Sequence, residues 1–197
     1  MNKNIMNTLG NFTPGMVFGA QDFSDFAPRN TIDQILHRLS KRGDIRKIDT
    51  GLYSIPQIHP LFGNVPAAPD KVAKAYAKKF GHIIQVNPAK AANVLGLSSQ
   101  VPAQIIYLTD GPTKSIMADG MTIKFQHVYS KKLKGKGTKA GLVVQALYYF
   151  GVDNVSHDLI QQIRSLLLPL DQSDLHDLFV FTPHWMQKII IRILSDA

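Results

Sequence analysis

Four side chains in one short stretch carry donors suited to base edges. Arg29 and Arg38 each present a forked guanidinium that matches the two acceptors of guanine. Asn30 and Gln34 carry amides that both donate and accept, the pattern adenine offers in the major groove. Arg46 and Lys47 follow closely, and cations of that kind meet phosphates or enter the minor groove. With Lys41 and Arg42 they complete a basic cluster. A second cluster is Lys131, Lys132, Lys134, Lys136 and Lys139. The chain has 22 Lys+Arg against 14 acidic residues, a net charge of +8. Residues 131–150 hold five lysines and no acid, while 151–197 are net −3. A basic surface attracts polyanions, nucleic acid above all, and the plainer alternative is a solubilising face.

Elements must hold these donors in place. Within residues 30–42, Ile32, Ile35, Leu36 and Leu39 recur at i, i+3, i+4 and i+7, one apolar stripe of a helix. Asn30, Asp33, Gln34, His37, Arg38 and Lys41 fall on the opposite face. Asn30 or Thr31 is the expected N-cap, and Gly43 the stop. Upstream, residues 4–12 suit a first helix, 16–18 a short strand and 20–26 a two-turn helix. Downstream, 45–48 and 52–55 flank Asp49-Thr50-Gly51 as a hairpin. Three helices and a basic hairpin make a winged helix-turn-helix, here over residues 1–58, with the polar helix face as the reader of the major groove. An ordinary amphipathic helix and hairpin in a small α+β core is the alternative.

Pro60, Gly63, Pro66 and Pro69 punctuate an expected linker. A second domain, 64–197, is expected to be mixed α/β and to end in helices. Its pattern gives a helix over 69–80 and a strand at 83–86. Asn87-Pro88 is a cap with proline at the first helical position. Further strands fall at 104–108, 115–117 and 122–128, the last two around Asp119-Gly120. Helices are expected over 140–150, 156–168, 172–179 and 183–194. The overall fold class is therefore α+β.

Several chemistries are excluded. All 14 acids are Asp and there is no Glu, so no two-Glu acid–base pair exists. Without cysteine there is no disulfide frame, thiol nucleophile or thiolate metal site. The seven histidines show no pair at ligand spacing, so no metal is expected. Gly135-Lys136-Gly137-Thr138-Lys139-Ala140 matches G-x-G-x-x-A, but a lysine run precedes it where a dinucleotide fold needs a strand. Catalytic residues and cofactors are not expected. No apolar run approaches the ~20 residues that span a bilayer, and no secretory segment follows residues 1–4, so a cytoplasmic protein without membrane contact is expected.

A wider pattern runs from about residue 5 to 150. It includes Phe18-Gly19-Ala20-Gln21-Asp22-Phe23, then Ile32 through Leu39 with Lys41-Arg42-Gly43, then Ile45-Arg46-Lys47-Ile48 with Gly51-Leu52-Tyr53 and Pro56. It continues with Ala91 through Pro102 and Tyr107-Leu108-Thr109-Asp110-Gly111-Pro112. The stretch from Ala91 to Pro112 is the most specific part. In these segments the chain resembles the AbiEi-type antitoxins of type IV toxin–antitoxin systems. The resemblance implies a winged-helix repressor of its own operon, bound to double-stranded operator DNA. By position it implies a DNA face of Arg29, Asn30, Thr31, Gln34 and Arg38, with Arg46 and Lys47 on the wing. It also implies a functional partner, a nucleotidyltransferase-type toxin opposed without a stable complex. A regulator or adaptor whose C-terminal domain binds protein or RNA is the other reading.

Overall fold

The computed structural model describes residues 2–167, 176, 178–180 and 182–195. The architecture is α+β. It forms two compact units, Met1–His82 with Ser115–Lys124, and Ile83–Lys114 with Phe125–Ala197.

The first unit opens with helix α1 (Asn2–Gly10), which buries Ile5 and Leu9. Strand β1 (Val17–Gly19) follows. The helix expected over 20–26 is a shorter 3-10 turn, Ala20–Phe23, held at its start by Asp22, whose Oδ2 accepts the Gly19 N–H at 2.8 Å. Helix α2 (Arg29–Arg42) begins earlier than the expected caps, because Pro28 occupies the N-cap position. The Pro28 carbonyl accepts from the Thr31 and Ile32 N–H groups, so no side-chain cap is used. Gly43 ends the helix at φ 85°, where its own N–H and that of Asp44 reach the Ser40 and Leu39 carbonyls.

Strands β2 (Arg46–Asp49) and β3 (Leu52–Ser54) form the expected hairpin. β3 is central in the antiparallel order β1-β3-β2, with Phe18 and Lys47 both opposite Tyr53. Phe18, Phe23, Ile32, Leu36 and Ile5 are fully buried in the core between helices and sheet. Each such side chain contributes about 1.5–3 kcal/mol.

The segment 60–69 is not a free linker. Strands β4 (Ile58–His59) and β5 (Gly63–Asn64) pair across it. Helix α3 (Pro69–Phe80) then packs on β1 and buries Val72, Ala73, Tyr76 and Ala77. Lys78 pairs with Asp22. The first unit therefore runs to His82, and the boundary expected between 58 and 64 falls inside it. Pro60 and Gly63 punctuate a tight turn, and the apolar face of α3 is spent on β1.

The second unit contains β6 (Ile84–Val86), helix α4 (Pro88–Val94) and β7 (Ile105–Thr109). Asn87 caps α4, its side chain accepting the Lys90 N–H at 2.8 Å. Strands β8 (Lys114–Ala118) and β9 (Met121–His127) follow in the sheet order β6-β7-β9-β8, although their residues 115–124 belong to the first unit. The β8–β9 turn places Asp119 at φ 50° and Gly120 at φ 78°, the double left-handed turn that Asp-Gly favours. A 3-10 turn, Ser130–Leu133, leads to α5 (Lys139–Phe150), α6 (His157–Leu167) and α7 (His184–Ser195). Val143, Leu147, Ile160, Ile163, Ile190 and Ile193 join these helices in one core. Ala91, Ala92 and Ala146 let α4 and α5 lie close. The helix expected over 172–179 lies mostly outside the described residues; His176 and residues 178–180 are helical. No helix among the described residues is long and apolar enough to cross a membrane.

Candidate nucleic-acid interface

Packing Ile32, Ile35, Leu36 and Leu39 against the core forces the other face of α2 outward. Arg29, Asn30, Gln34, His37, Arg38 and Lys41 are all exposed there. On β2 the side chains alternate, so Ile48 is buried and Lys47 exposed. A hollow of 660 Å³ opens between the two elements. Helix α2 lines it with Arg29, Asp33, Gln34, His37 and Arg38. The hairpin adds Lys47, Thr50, Gly51 and Tyr53, and α3 adds Lys79.

The charges of the hollow are mostly positive. Four cations face one carboxylate, Asp33. Arg29 Nε donates to Asp33 Oδ2 at 2.9 Å, with both side chains about half exposed. An exposed pair of this kind is worth at most about 1 kcal/mol, so an incoming anion can compete for the guanidinium. Lys79 Nζ donates to the Thr50 carbonyl and ties the end of α3 to the hairpin turn. Burial raises the Tyr53 hydroxyl above the usual phenol range, and the charge of Asp33 adds to the rise. Tyr53 therefore remains a neutral hydroxyl at physiological pH. The arrangement offers forked, amide and ammonium donors over one concave surface, which suits anions and base edges.

The family model DUF6088, described as a family of unknown function, matches residues 4–175. The chain belongs to the DUF6088 family. No curated protein matches it. Among solved structures, it is similar to the crystal structure of the RV2827C protein from Mycobacterium tuberculosis. That match has 15% identity and a TM-score of 0.44, and covers 97% of this chain and 80% of that one.

In this DUF6088 chain the residues expected to face DNA are only partly gathered. Arg29, Gln34, Arg38 and Lys47 meet in the hollow. Asn30 and Thr31 lie in the first turn of α2 and do not line it. Lys41 lines a separate cleft with Met6, Arg38 and Arg42. Arg46, expected to serve the wing as a phosphate contact, is turned to Asp119. Its Nη2 donates to Asp119 Oδ1 at 2.8 Å and its Nη1 to the Val65 carbonyl at 3.2 Å. Asp119 Oδ2 accepts the Ala67 N–H at 3.0 Å, and its side chain is only 6% exposed. Alternation along β2 separates Arg46 from its neighbour Lys47. Tyr53 and Lys79 were missed by sequence reasoning. The Lys78-Lys79 pair at the end of α3 was the available signal, but nothing local ties it to a hairpin turn almost thirty residues earlier.

The second lysine cluster belongs to the second unit of the DUF6088 chain. Lys131 and Lys132 sit in the 3-10 turn, anchored by buried Leu133. Together with Lys134, Tyr129 and Tyr148 they line a cleft of 830 Å³, whereas Lys136 and Lys139 do not. The glycine motif follows a 3-10 turn rather than a strand, so it lacks the dinucleotide arrangement. Thr138 caps α5 instead, accepting the Gly141 N–H at 3.0 Å and donating to the Gly135 carbonyl at 2.8 Å. Among the described residues no group of three potential metal ligands is found.

Proposed function

We propose that residues 1–58 form a winged helix-turn-helix that binds double-stranded DNA, with α2 as recognition helix and β2–β3 as wing. The observation that carries this reading is the shared hollow, in which Arg29, Gln34 and Arg38 of α2 face the same space as Lys47 of the hairpin. The succession helix, strand, 3-10 turn, helix, hairpin supports it. On this reading the chain acts by binding, as a sequence-specific repressor of its own operon. The residues from Ala91 to Pro112, which resemble those of AbiEi-type antitoxins, extend the proposal to a type IV antitoxin opposing a nucleotidyltransferase-type toxin without a stable complex. The adaptor alternative has the Lys131–Lys134 cleft in its favour.

A gel shift against the DNA upstream of its own gene tests the DNA reading. The upstream fragment is expected to shift at concentrations at least tenfold lower than a scrambled fragment in the same salt. Equal affinity for both would remove sequence-specific recognition. Co-expression with a nucleotidyltransferase-type toxin tests the second part, where restored growth without co-purification is the expected result.

A further inference from the structure

The second unit holds a buried amide whose carbonyl oxygen has no hydrogen-bond partner. Gln145 on α5 is 1% exposed. Its Nε2 donates to the Lys132 carbonyl at 2.8 Å, but its Oε1 has no partner. A buried acceptor left without a donor is destabilising, so the group calls for a donor from outside the chain or is held at a cost. Gln145 lines a cleft of 450 Å³ together with Gln126, Lys132, Tyr148 and Tyr149.

The 830 Å³ cleft beside it shares Lys132 and Tyr148, and adds Lys131, Lys134 and the exposed Tyr129. Both volumes lie within the ~300–1,000 Å³ typical of small-molecule sites. Among the described residues no lining side chain in either cleft is acidic. Lys132 Nζ lies over the Tyr148 ring, 5.1 Å from its centre, so the cation covers one face of that ring and leaves the other for a ligand.

We propose that these neighbouring clefts bind a nucleotide, with its base against the tyrosines and the Gln145 amide and its phosphate on Lys131, Lys132 and Lys134. Each part of the site calls for one part of that ligand. The unused Oε1 needs an N–H donor, which the amino and imino groups of bases supply. Tyrosine faces take a base by stacking. Three ammonium groups without a carboxylate take a phosphate. A free mononucleotide and a nucleotide within a single strand share this chemistry. The site shares no residue with the DNA face proposed for the first unit.

The test uses the full chain, with AMP, GMP and a labelled ten-nucleotide single-stranded RNA as probes, and ribose 5-phosphate as the control lacking a base. At least one nucleotide probe is expected to bind below millimolar concentration, and ribose 5-phosphate at least tenfold more weakly. Tighter binding of the mononucleotides or of the RNA identifies the source. The double variant Lys131→Ala/Lys134→Ala is expected to weaken binding at least tenfold, and Gln145→Met at least fivefold. The lysines are exposed, so the double variant keeps the fold and decides the matter even where Gln145→Met melts early. The double variant is also expected to leave the operator gel shift unchanged. The proposal is overturned by absence of binding for all nucleotide probes, by equal binding of ribose 5-phosphate, or by binding that survives the lysine substitutions. Loss of the operator shift in the lysine variant would assign the cleft to duplex DNA and overturn it as well.

Discussion

Arg46 and Lys47 are neighbours on β2 with opposite surroundings. Lys47 opens onto the hollow, while Arg46 is held by Asp119 and the Val65 carbonyl. Lys47→Ala is therefore expected to weaken binding to all DNA and to shallow the log–log salt dependence by about 0.9. Arg46→Ala is expected to leave that slope unchanged and to lower folding stability by about 1.5–3 kcal/mol, since a charged hydrogen bond to a nearly buried carboxylate is lost. Urea melts separate the two cases. Asp119→Ala should cost a similar amount, and the double variant less than the sum. A shallower salt slope in Arg46→Ala would mean that the pair opens on DNA. Gln34 and Arg38 face the same hollow as exposed donors of α2. Gln34→Ala and Arg38→Ala should each reduce discrimination between operator and scrambled DNA by about 1–3 kcal/mol. Unchanged discrimination in both would remove α2 as the reading helix. Sequence alone exposed the donor types and the period-two alternation. It did not expose Asp119, which lies 73 residues from Arg46 in the chain.

Helix α2 owes its direction to its ends as much as to its apolar stripe. Gly43 holds φ 85° at its C-terminus, and a Cβ built there meets nothing within 4 Å. Any cost of Gly43→Ala is therefore backbone strain alone, about 1–2 kcal/mol for a left-handed residue with a Cβ. Thermal melts should show that loss, while affinity for DNA stays within twofold because the outer face of α2 is untouched. A loss of affinity larger than twofold would show that the helix end also sets the angle of the reading face. This cap was legible in the sequence, as were Asn87-Pro88 and Asp119-Gly120, because each depends on two or three adjacent residues. The stripe from Ile32 to Leu39 was legible because its i, i+3, i+4, i+7 spacing lies within one helix. The 3-10 turn Ala20–Phe23 and the β4–β5 hairpin were not. The first is held by Asp22 and the α3 residue Lys78, the second by a pairing too short to leave an alternating pattern. Lys79 and Tyr53 enter the hollow only after α3 and the hairpin have packed, so no local spacing announces them.

The division of the chain follows packing rather than punctuation. Proline and glycine cluster at 60–69, yet α3 lies beyond them and completes the first unit by covering β1. A fragment ending at residue 60 loses helix α3, which packs on β1, the Lys78 pair of Asp22 and the Asp119 pair of Arg46. Val72 and Tyr76 alone remove about 3–6 kcal/mol of burial, a large share of the ~5–15 kcal/mol that holds a domain folded. Residues 1–60 are therefore expected to melt without a cooperative transition. Extending the fragment to residue 82 restores α3, but not Asp119, and should recover a sigmoidal melt below the midpoint of the full chain. At about 4–8 °C per kcal/mol for a unit of this size, the missing Asp119 contacts place that midpoint roughly 6–24 °C lower. Circular dichroism melts of 1–60, 1–82 and the full chain check the series. A sharp transition for 1–60 within about 5 °C of that for 1–82 would make α3 a passenger and return the boundary to residues 58–64. The same fragments separate folding from binding, because 1–82 carries the whole lining of the hollow, Lys79 included, and should still shift the upstream DNA.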